Sequence, residues 1–266
     1  AFKMIDVAKK AGADAVKFQT FVTESIQLPS AKKPNYQKSI KSKKIKVVVD
    51  AVNSTGGLIV PDFLEELNIE VIKLYCEPNG DFPHNPEPLK KNLTELSKKV
   101  IECNADLGIA VDPDVDRLVF VCEDGELFGE ENTLVACADY VLSKTPGSTV
   151  SNLSSSRALN DITKKHNQVH YYSAVGEVNV VDKMKKCKAV IGGEGNGGVI
   201  YPKSHYGRDS IVGIGLFLSL YVERGLIASK LLETYPKYFM VKEKINLSPS
   251  LDVDNILGQI AEKYKN

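Results

Sequence analysis

Short apolar runs alternate with segments of helical spacing along most of this 266-residue chain, and that alternation leaves few folds open. "KIKVVVDAV", "DLGIAV" and "RLVFVCE" are short and rich in β-branched residues, the mark of strands buried on both faces. "EVIKLY", "TVSNL", "VHYYSA" and "AVIGG" repeat the signal more weakly. Between them lie "PDFLEELN", with Pro61 near its first turn, and helices expected over 87–103, 131–143, 156–166, 177–186 and 210–223. Strand, helix, strand units of this kind build an α/β sheet covered by helices. "KTPGST" sets a boundary near residue 146, so two such domains follow one another, over 43–145 and 146–226.

The ends read differently. "FKMIDVAKKAG" has helical spacing and "DAVKFQTF" reads as a strand, which makes residues 1–42 a helix-strand appendage and linker. From Ser25 to Val49 there are seven lysines and no acidic residue, interrupted by Pro29 and Pro34. An anion-binding arm and a solvated linker both fit, and the prolines favour the linker. After Gly225, "ASKLLETYPKYFMVKEKINL" reads as a helix and one strand, and "AEKYKN" ends the chain inside another helix, so 227–266 is a partial segment. With no initiator Met, residue 1 is not expected to be a natural start.

Lysines plus arginines equal aspartates plus glutamates at 34 each, so no global field attracts nucleic acid or an acidic membrane. No apolar stretch reaches about 18 residues, and "AFKMIDVAKK" alternates charge too early for a signal peptide. Cys76, Cys103, Cys122, Cys137 and Cys187 form no C-x-x-C pair and are odd in number, which suits reduced thiols. The expectation is a soluble, cytoplasmic protein.

Chemistry concentrates in "GIAVDPDVDRLVF", where Asp112, Asp114 and Asp116 occupy alternate positions between two apolar flanks. Alternate residues of an extended segment point the same way, and a tight turn folds them onto one point, so three hard oxygen ligands can meet one small cation, with magnesium the natural guest. A calcium loop half fits, with Glu123 at its twelfth position, but Arg117 stands where glycine is needed and both flanks read as strands. A solvated turn is the plainer alternative; the carboxyl edge of a buried strand favours the metal. "GGEGNGG" follows a strand without the pattern of a P-loop or a dinucleotide fingerprint. It is either a plain glycine turn or a place where Glu194 and Asn196 hydrogen-bond sugar hydroxyls. In "KSHYGRDS", Asp209 falls at a helix N-cap, leaving Arg208 and His205 as candidates for an anion; Ser204 and His205, adjacent on an extended chain, point apart and make a poor nucleophile and base. "SNLSSSRAL" puts serines and Arg157 at a helix start, where a phosphate is favoured. "NSTGG" opens a helix and is expected to serve packing.

"DPDVDR", "GDFPHNPEPL", "AVGEVNVV", "GEGNGG" and "HYGRDS" occur in an order that resembles the α-D-phosphohexomutases, with wording closest to bacterial phosphoglucosamine mutases, over residues 43 to 245. The resemblance implies two consecutive three-layer α/β/α domains, the family's second and third. It also implies an isomerase that moves a phosphoryl group between sugar O1 and O6 through a phosphoserine. By that match Asp112, Asp114 and Asp116 hold Mg2+, Arg117 borders the reacting phosphate, and Glu194 and Asn196 face the sugar. Asn196, Gly197 and Gly198 stand where many relatives have Ser-Gly-His, which leaves the sugar open. Neither the family's Thr-Ala-Ser-His-Asn-Pro phosphoserine loop nor its Arg-x-Ser-x-Thr-Glu-Pro clamp occurs in these residues. The expectation is therefore little or no turnover, a residual Mg2+ and sugar-phosphate binding module, and self-association through faces that absent domains would expose. Residues 1–39 resemble the opening of sialic acid synthases, with Lys17 and Gln19 at substrate-side positions. That resemblance implies a hybrid chain.

Overall fold

The computed structural model describes residues 44–240 and 252–264. The appendage expected over 1–42, its resemblance to a synthase, and the strand expected after residue 240 lie outside those residues.

Two four-stranded mixed sheets carry the structure, and their order is the same. In the first, β1 (Lys46–Asp50) pairs in parallel with β2 (Glu70–Leu74) and β3 (Leu107–Val111), and β4 (Leu118–Cys122) runs antiparallel beside β3. In the second, β5 (Thr149–Asn152) pairs in parallel with β6 (His170–Ser173) and β7 (Ile191–Glu194), and β8 (Gly198–Ile200) runs antiparallel beside β7. The residues after the glycine turn form β8, where a dinucleotide fingerprint would need a helix.

In the first sheet β3 and the middle of β1 are apolar because helices cover both faces, whereas β5 of the second sheet buries Thr149, Ser151 and Asn152. Val47 and Val49 enter one core cluster while Val48 enters another, and β4 alternates in the same way, with Leu118, Phe120 and Cys122 on one face and Val119 and Val121 on the other. α1 (Gly56–Glu66) packs Val60 and Leu64 on the first face; α2 (Thr94–Glu102) packs Leu96 and Val100 on the second. In the second unit α4 (Ala158–Lys165) covers one face through Leu159 and Ile162, and α5 (Glu177–Cys187) covers the other through Val180 and Met184.

Two boundaries differ from the pattern. The helix expected over 61–68 begins at Gly56 and runs through Pro61. A β-carbon on Gly57 would lie 2.2 Å from the Cys76 carbonyl oxygen, so close packing on that strand end places the start at the glycines. The helix expected over 87–103 is a 3-10 turn at Lys90–Asn92 followed by α2. Pro86 and Pro88 disfavour helical conformation at the residues before them, and Asn92 Nδ2 donates to the Glu87 carbonyl at 2.8 Å to close the turn.

α3 (Glu130–Lys144) and α6 (Ser210–Arg224) join the two units. Phe120 of β4 stacks on Phe217 of α6 with centroids 3.7 Å apart, and Phe128 meets Phe217 edge-on at 5.0 Å. One hydrophobic cluster therefore runs through both units. Buried Asp139 of α3 binds His166, Arg224 and Tyr235, tying α4, α6 and the segment after α7 (Ala228–Glu233) to one carboxylate. No residue of the last helix, α8 (Val253–Lys263), is buried. Among the described residues, no helix is long and apolar enough to cross a membrane.

Truncating Phe217 to Ala removes a buried ring shared by both units. The expected cost is about 3–5 kcal/mol in denaturant unfolding, with both units lost in one transition. His170 yields a pH signature. Thr149 Oγ1 and Ser151 Oγ lie 2.8 and 3.1 Å from its two nitrogens, and burial pushes its pKa down to about 4. The folded state thus resists a proton that the unfolded chain accepts near pH 6.5, and stability falls as pH drops from 6.5 toward 4. His170→Gln should lose about 2 kcal/mol less than the native chain between pH 7 and pH 4.5.

Candidate metal and sugar site

Both site loops are the same turn of the two repeated sheets. Residues 112–117 connect β3 to β4, with Val111 opposite Leu118; residues 195–197 connect β7 to β8, with Glu194 opposite Gly198. Each loop leaves the carboxyl end of a strand that pairs in parallel with the first strand of its sheet, where ligands of α/β sheets gather.

The acidic turn converges as the spacing implies. Asp112, Asp114 and Asp116 each offer an oxygen within 4.8 Å of the others. Asp112 and Asp116 are buried and Asp114 faces solvent. Asp112 Oδ1 accepts the amides of Asp116 and Arg117 at 3.0 and 2.9 Å, and Val115 takes a left-handed φ of 59° to close the turn. Burial, aided by the neighbouring Asp116 and Asp114, raises the Asp112 carboxyl above the ordinary range, against the pull of the Arg117 amide. Burial likewise raises Asp116, against the guanidinium of Arg208. Crowded hard oxygens of this kind fit a small divalent cation, which would relieve their repulsion.

Neighbouring loops hold the turn from outside. Ser54 and Thr55 both donate to the Pro113 carbonyl, at 2.7 and 2.9 Å. Arg117 reaches Glu87 at 3.4 Å and Asp112 at 3.7 Å. His84 Nε2 lies 3.0 Å from buried Asp50 at the end of β1, and that bond raises its pKa. "NSTGG" thus contributes two clamps as well as packing. Nothing in its composition distinguishes a serine that caps its own helix from one that holds a loop 59 residues away.

The glycine turn lies against the acidic one. Leu118 N donates to the Gly197 carbonyl at 3.1 Å. Gly197 has φ of +90°, and a β-carbon there would lie 2.4 Å from the Leu118 oxygen, so glycine is required at this junction. Glu194 is buried; its Oε1 accepts Asn152 Nδ2 at 2.7 Å and its Oε2 accepts Arg208 Nη1 at 2.9 Å. Asn196 Oδ1 accepts the Gly198 amide at 3.2 Å.

Arg208 is the hub. Nη2 donates to Asp116 Oδ2 at 2.5 Å, Nε lies 3.5 Å from Glu177 Oε2, and its backbone amide donates to Glu177 Oε1 at 3.1 Å. Sequence reasoning offered Arg208 and His205 to an anion; both are turned to carboxylates of the chain itself. The Gly207 amide donates to His205 Nδ1 at 3.0 Å, so Nε2 carries the proton that Asp209 Oδ2 accepts at 2.6 Å. Asp209 Oδ1 caps α6 through the Val212 amide at 3.0 Å, as its position implied. Ser154 and Ser155 donate to Asn152 Oδ1 and the Ser156 amide donates to Glu131 Oε2, so these donors at the α4 entrance bind protein groups. Arg157 is exposed beside them, and the Gly195 amide donates to Ser155 Oγ at 2.9 Å, which seats that loop on the glycine turn. Glu177 and Asn152 were missed. An acid in a helix's first turn reads as a dipole partner, which masks its second use.

The comparisons agree with this architecture. Residues 22–125 match the phosphoglucomutase/phosphomannomutase α/β/α domain II, and residues 130–238 match domain III. The domain II match includes residues 22–39, part of the stretch that the sequence reading assigned to a synthase fragment. A phosphoglucomutase/phosphomannomutase of Thermococcus kodakarensis is 34% identical over 226 residues, covering 84% of this chain and 49% of that protein. A phosphoglucosamine/phosphogalactosamine mutase of Sulfurisphaera tokodaii is 31% identical, covering 85% and 50%. The crystal structure of a phosphoglucomutase/phosphomannomutase family protein from Burkholderia thailandensis superposes with a TM-score of 0.67 at 27% identity, covering 74% of this chain and 43% of that one. Two α/β/α units with an acidic and a glycine-rich turn meeting at their strand ends define a phosphohexomutase-type protein. The chain belongs to the phosphoglucomutase/phosphomannomutase family and matches its domains II and III. It spans about half the length of the curated relatives it matches.

The raised Asp112 gives a signed test. A buried carboxyl whose pKa is raised favours the fold at low pH and opposes it as pH rises through the folded value. In EDTA, Asp112→Asn, which keeps the Oδ1 acceptor, should stabilise the chain by about 1 kcal/mol or more at pH 8 and by much less at pH 5. Thermal melts at the two pH values measure it.

Proposed function

We propose that these residues form the magnesium- and sugar-reading half of a phosphohexose mutase of the phosphoglucosamine, phosphomannose or phosphoglucose type. One observation carries the reading: an acidic turn that converges three carboxylate oxygens within 4.8 Å is joined through Arg208 to the glycine turn that bears Glu194. The names of the similar proteins, all mutases of hexose phosphates, support it.

In this reading Asp112, Asp114 and Asp116 would hold Mg2+. Bound there, Mg2+ supplies neutralisation of charge on a transferring phosphoryl group. Arg117, anchored between Asp112 and Glu87, borders that group and adds a second positive charge. Glu194 and Asn196 take sugar hydroxyls, Glu194 through lone pairs that Asn152 and Arg208 leave open. Arg157, exposed at the entrance of α4, serves the anionic end of the ligand, and Arg208 orders the floor between the two turns. Most of the catalysis in such chemistry is positioning and electrostatics. The phosphoserine loop is not among these 266 residues, so the chain by itself is read as binding metal and phosphosugar with little or no turnover. Balanced charge fits a cytosolic protein with a small-molecule partner.

Isothermal titration should show Mg2+ binding to the native chain. Asp114→Asn, at the exposed ligand, should weaken it about tenfold or more while the melting temperature in EDTA stays unchanged. No Mg2+ heat from the native chain would remove the metal reading. Rapid conversion of glucosamine 6-phosphate by the 266-residue chain would show that the nucleophile lies within it.

A further inference from the structure

We infer that Arg208 is a positioning residue that couples the two turns, so that cation binding at the acidic turn and phosphosugar binding at the glycine turn strengthen each other. The inference rests on the function proposed above and goes past it, because it assigns a shared mechanical part to two separate ligands.

The backbone that carries the guanidinium is fixed on both sides of Arg208. Ile200 and Arg208 form an antiparallel bridge, the Asp209 amide donates to Val199 O at 2.9 Å, and the Ser210 amide donates to Val115 O at 3.0 Å within the acidic turn itself. A β-carbon on Gly198 would lie 2.4 Å from Arg208 Cδ, so the stem runs flat across a bare backbone with no room to swing toward it. From that base the planar fork reaches Asp116 through Nη2 and Glu194 through Nη1. Both acceptors are almost wholly buried, at 4% and 5% exposure. Each acceptor gives the fork one oxygen, Oδ2 in Asp116 and Oε2 in Glu194. Asp116 Oδ1 therefore remains for a cation, and each Glu194 oxygen retains a second lone pair for a hydroxyl.

A cation that clamps Asp116 thereby fixes the fork, and the fork fixes Glu194. The ligand that binds second meets a site whose ordering has already been done, which makes the two affinities rise together with no further change of shape. The effect is reciprocal by linkage. Charge alone does not produce it: a lysine supplies the same charge from a single point and cannot span two carboxylates in fixed directions.

The test is calorimetry on the 266-residue chain with Mg2+, alone and in saturating glucosamine 6-phosphate, for the native chain, R208K and R208M, with near-ultraviolet circular dichroism to verify folding. In the native chain the sugar phosphate should tighten Mg2+ about fivefold or more. In R208K, which keeps the charge, that ratio should fall to about one although both ligands still bind; R208M should match it. A native-like ratio in folded R208K overturns the coupling and leaves the proposed function standing, because Mg2+ and sugar phosphate still bind. Absence of Mg2+ heat in the native chain overturns both. A shift in melting temperature with an unchanged ratio marks Arg208 as structural only and also overturns the coupling.

Discussion

One guanidinium holds three carboxylates that would otherwise repel. Asp116 comes from the turn after β3, Glu194 from the end of β7 and Glu177 from the start of α5. Each belongs to a segment leaving a strand end, and none is near another in the chain. A lone buried carboxylate is costly unless paired and hydrogen-bonded, so the position of Arg208 decides whether the strand ends of the two sheets can face one another at all. The cluster still carries more negative than positive charge once Asp112 and Asp114 are included. That excess makes the acidic turn attractive to a cation instead of merely tolerable.

The doubled architecture explains how the chain brings that cluster together. Each sheet places a parallel pair beside its first strand and ends on a short antiparallel strand. The connection before that last strand must be a tight turn at the carboxyl edge, and it is there that both the aspartates and the glycines occur. With α3, α6 and the Phe120–Phe217 stack between the units, the two turns touch through the Leu118 amide and the Gly197 carbonyl. Glycine is required there because any side chain would enter the other turn's backbone. The aromatic core and the polar site are thus two sides of one junction.

Much of this was legible from periodicity. The runs around Val48, Ile109 and Phe120 are apolar at every position because helices cover both faces of their sheet, and that density is visible in any window. The aspartate spacing was legible for a similar reason, since three acids at alternate positions are hard to satisfy except around a cation. Less visible were features that depend on a partner far along the chain. β8 is three residues long and exists because β7 is beside it. α1 begins at Gly56 because the Cys76 carbonyl comes close, and the prolines at 86 and 88 shorten α2 more than hydrophobic spacing suggested.

The amino-acid order alone determined the α/β class, the two repeated units, the acidic and glycine-rich turns and the Asp209 cap, because each is written in residues that are close together and obey local steric or hydrophobic rules. Only the tertiary structure decided that Arg208 serves carboxylates rather than an outside anion, that Ser54 and Thr55 grip Pro113, and that Glu177 and Asn152 complete the cluster. Charges and hydrogen bonds of that sort are set by distance in space. A linear pattern records which groups are available and leaves their partners to be chosen by packing.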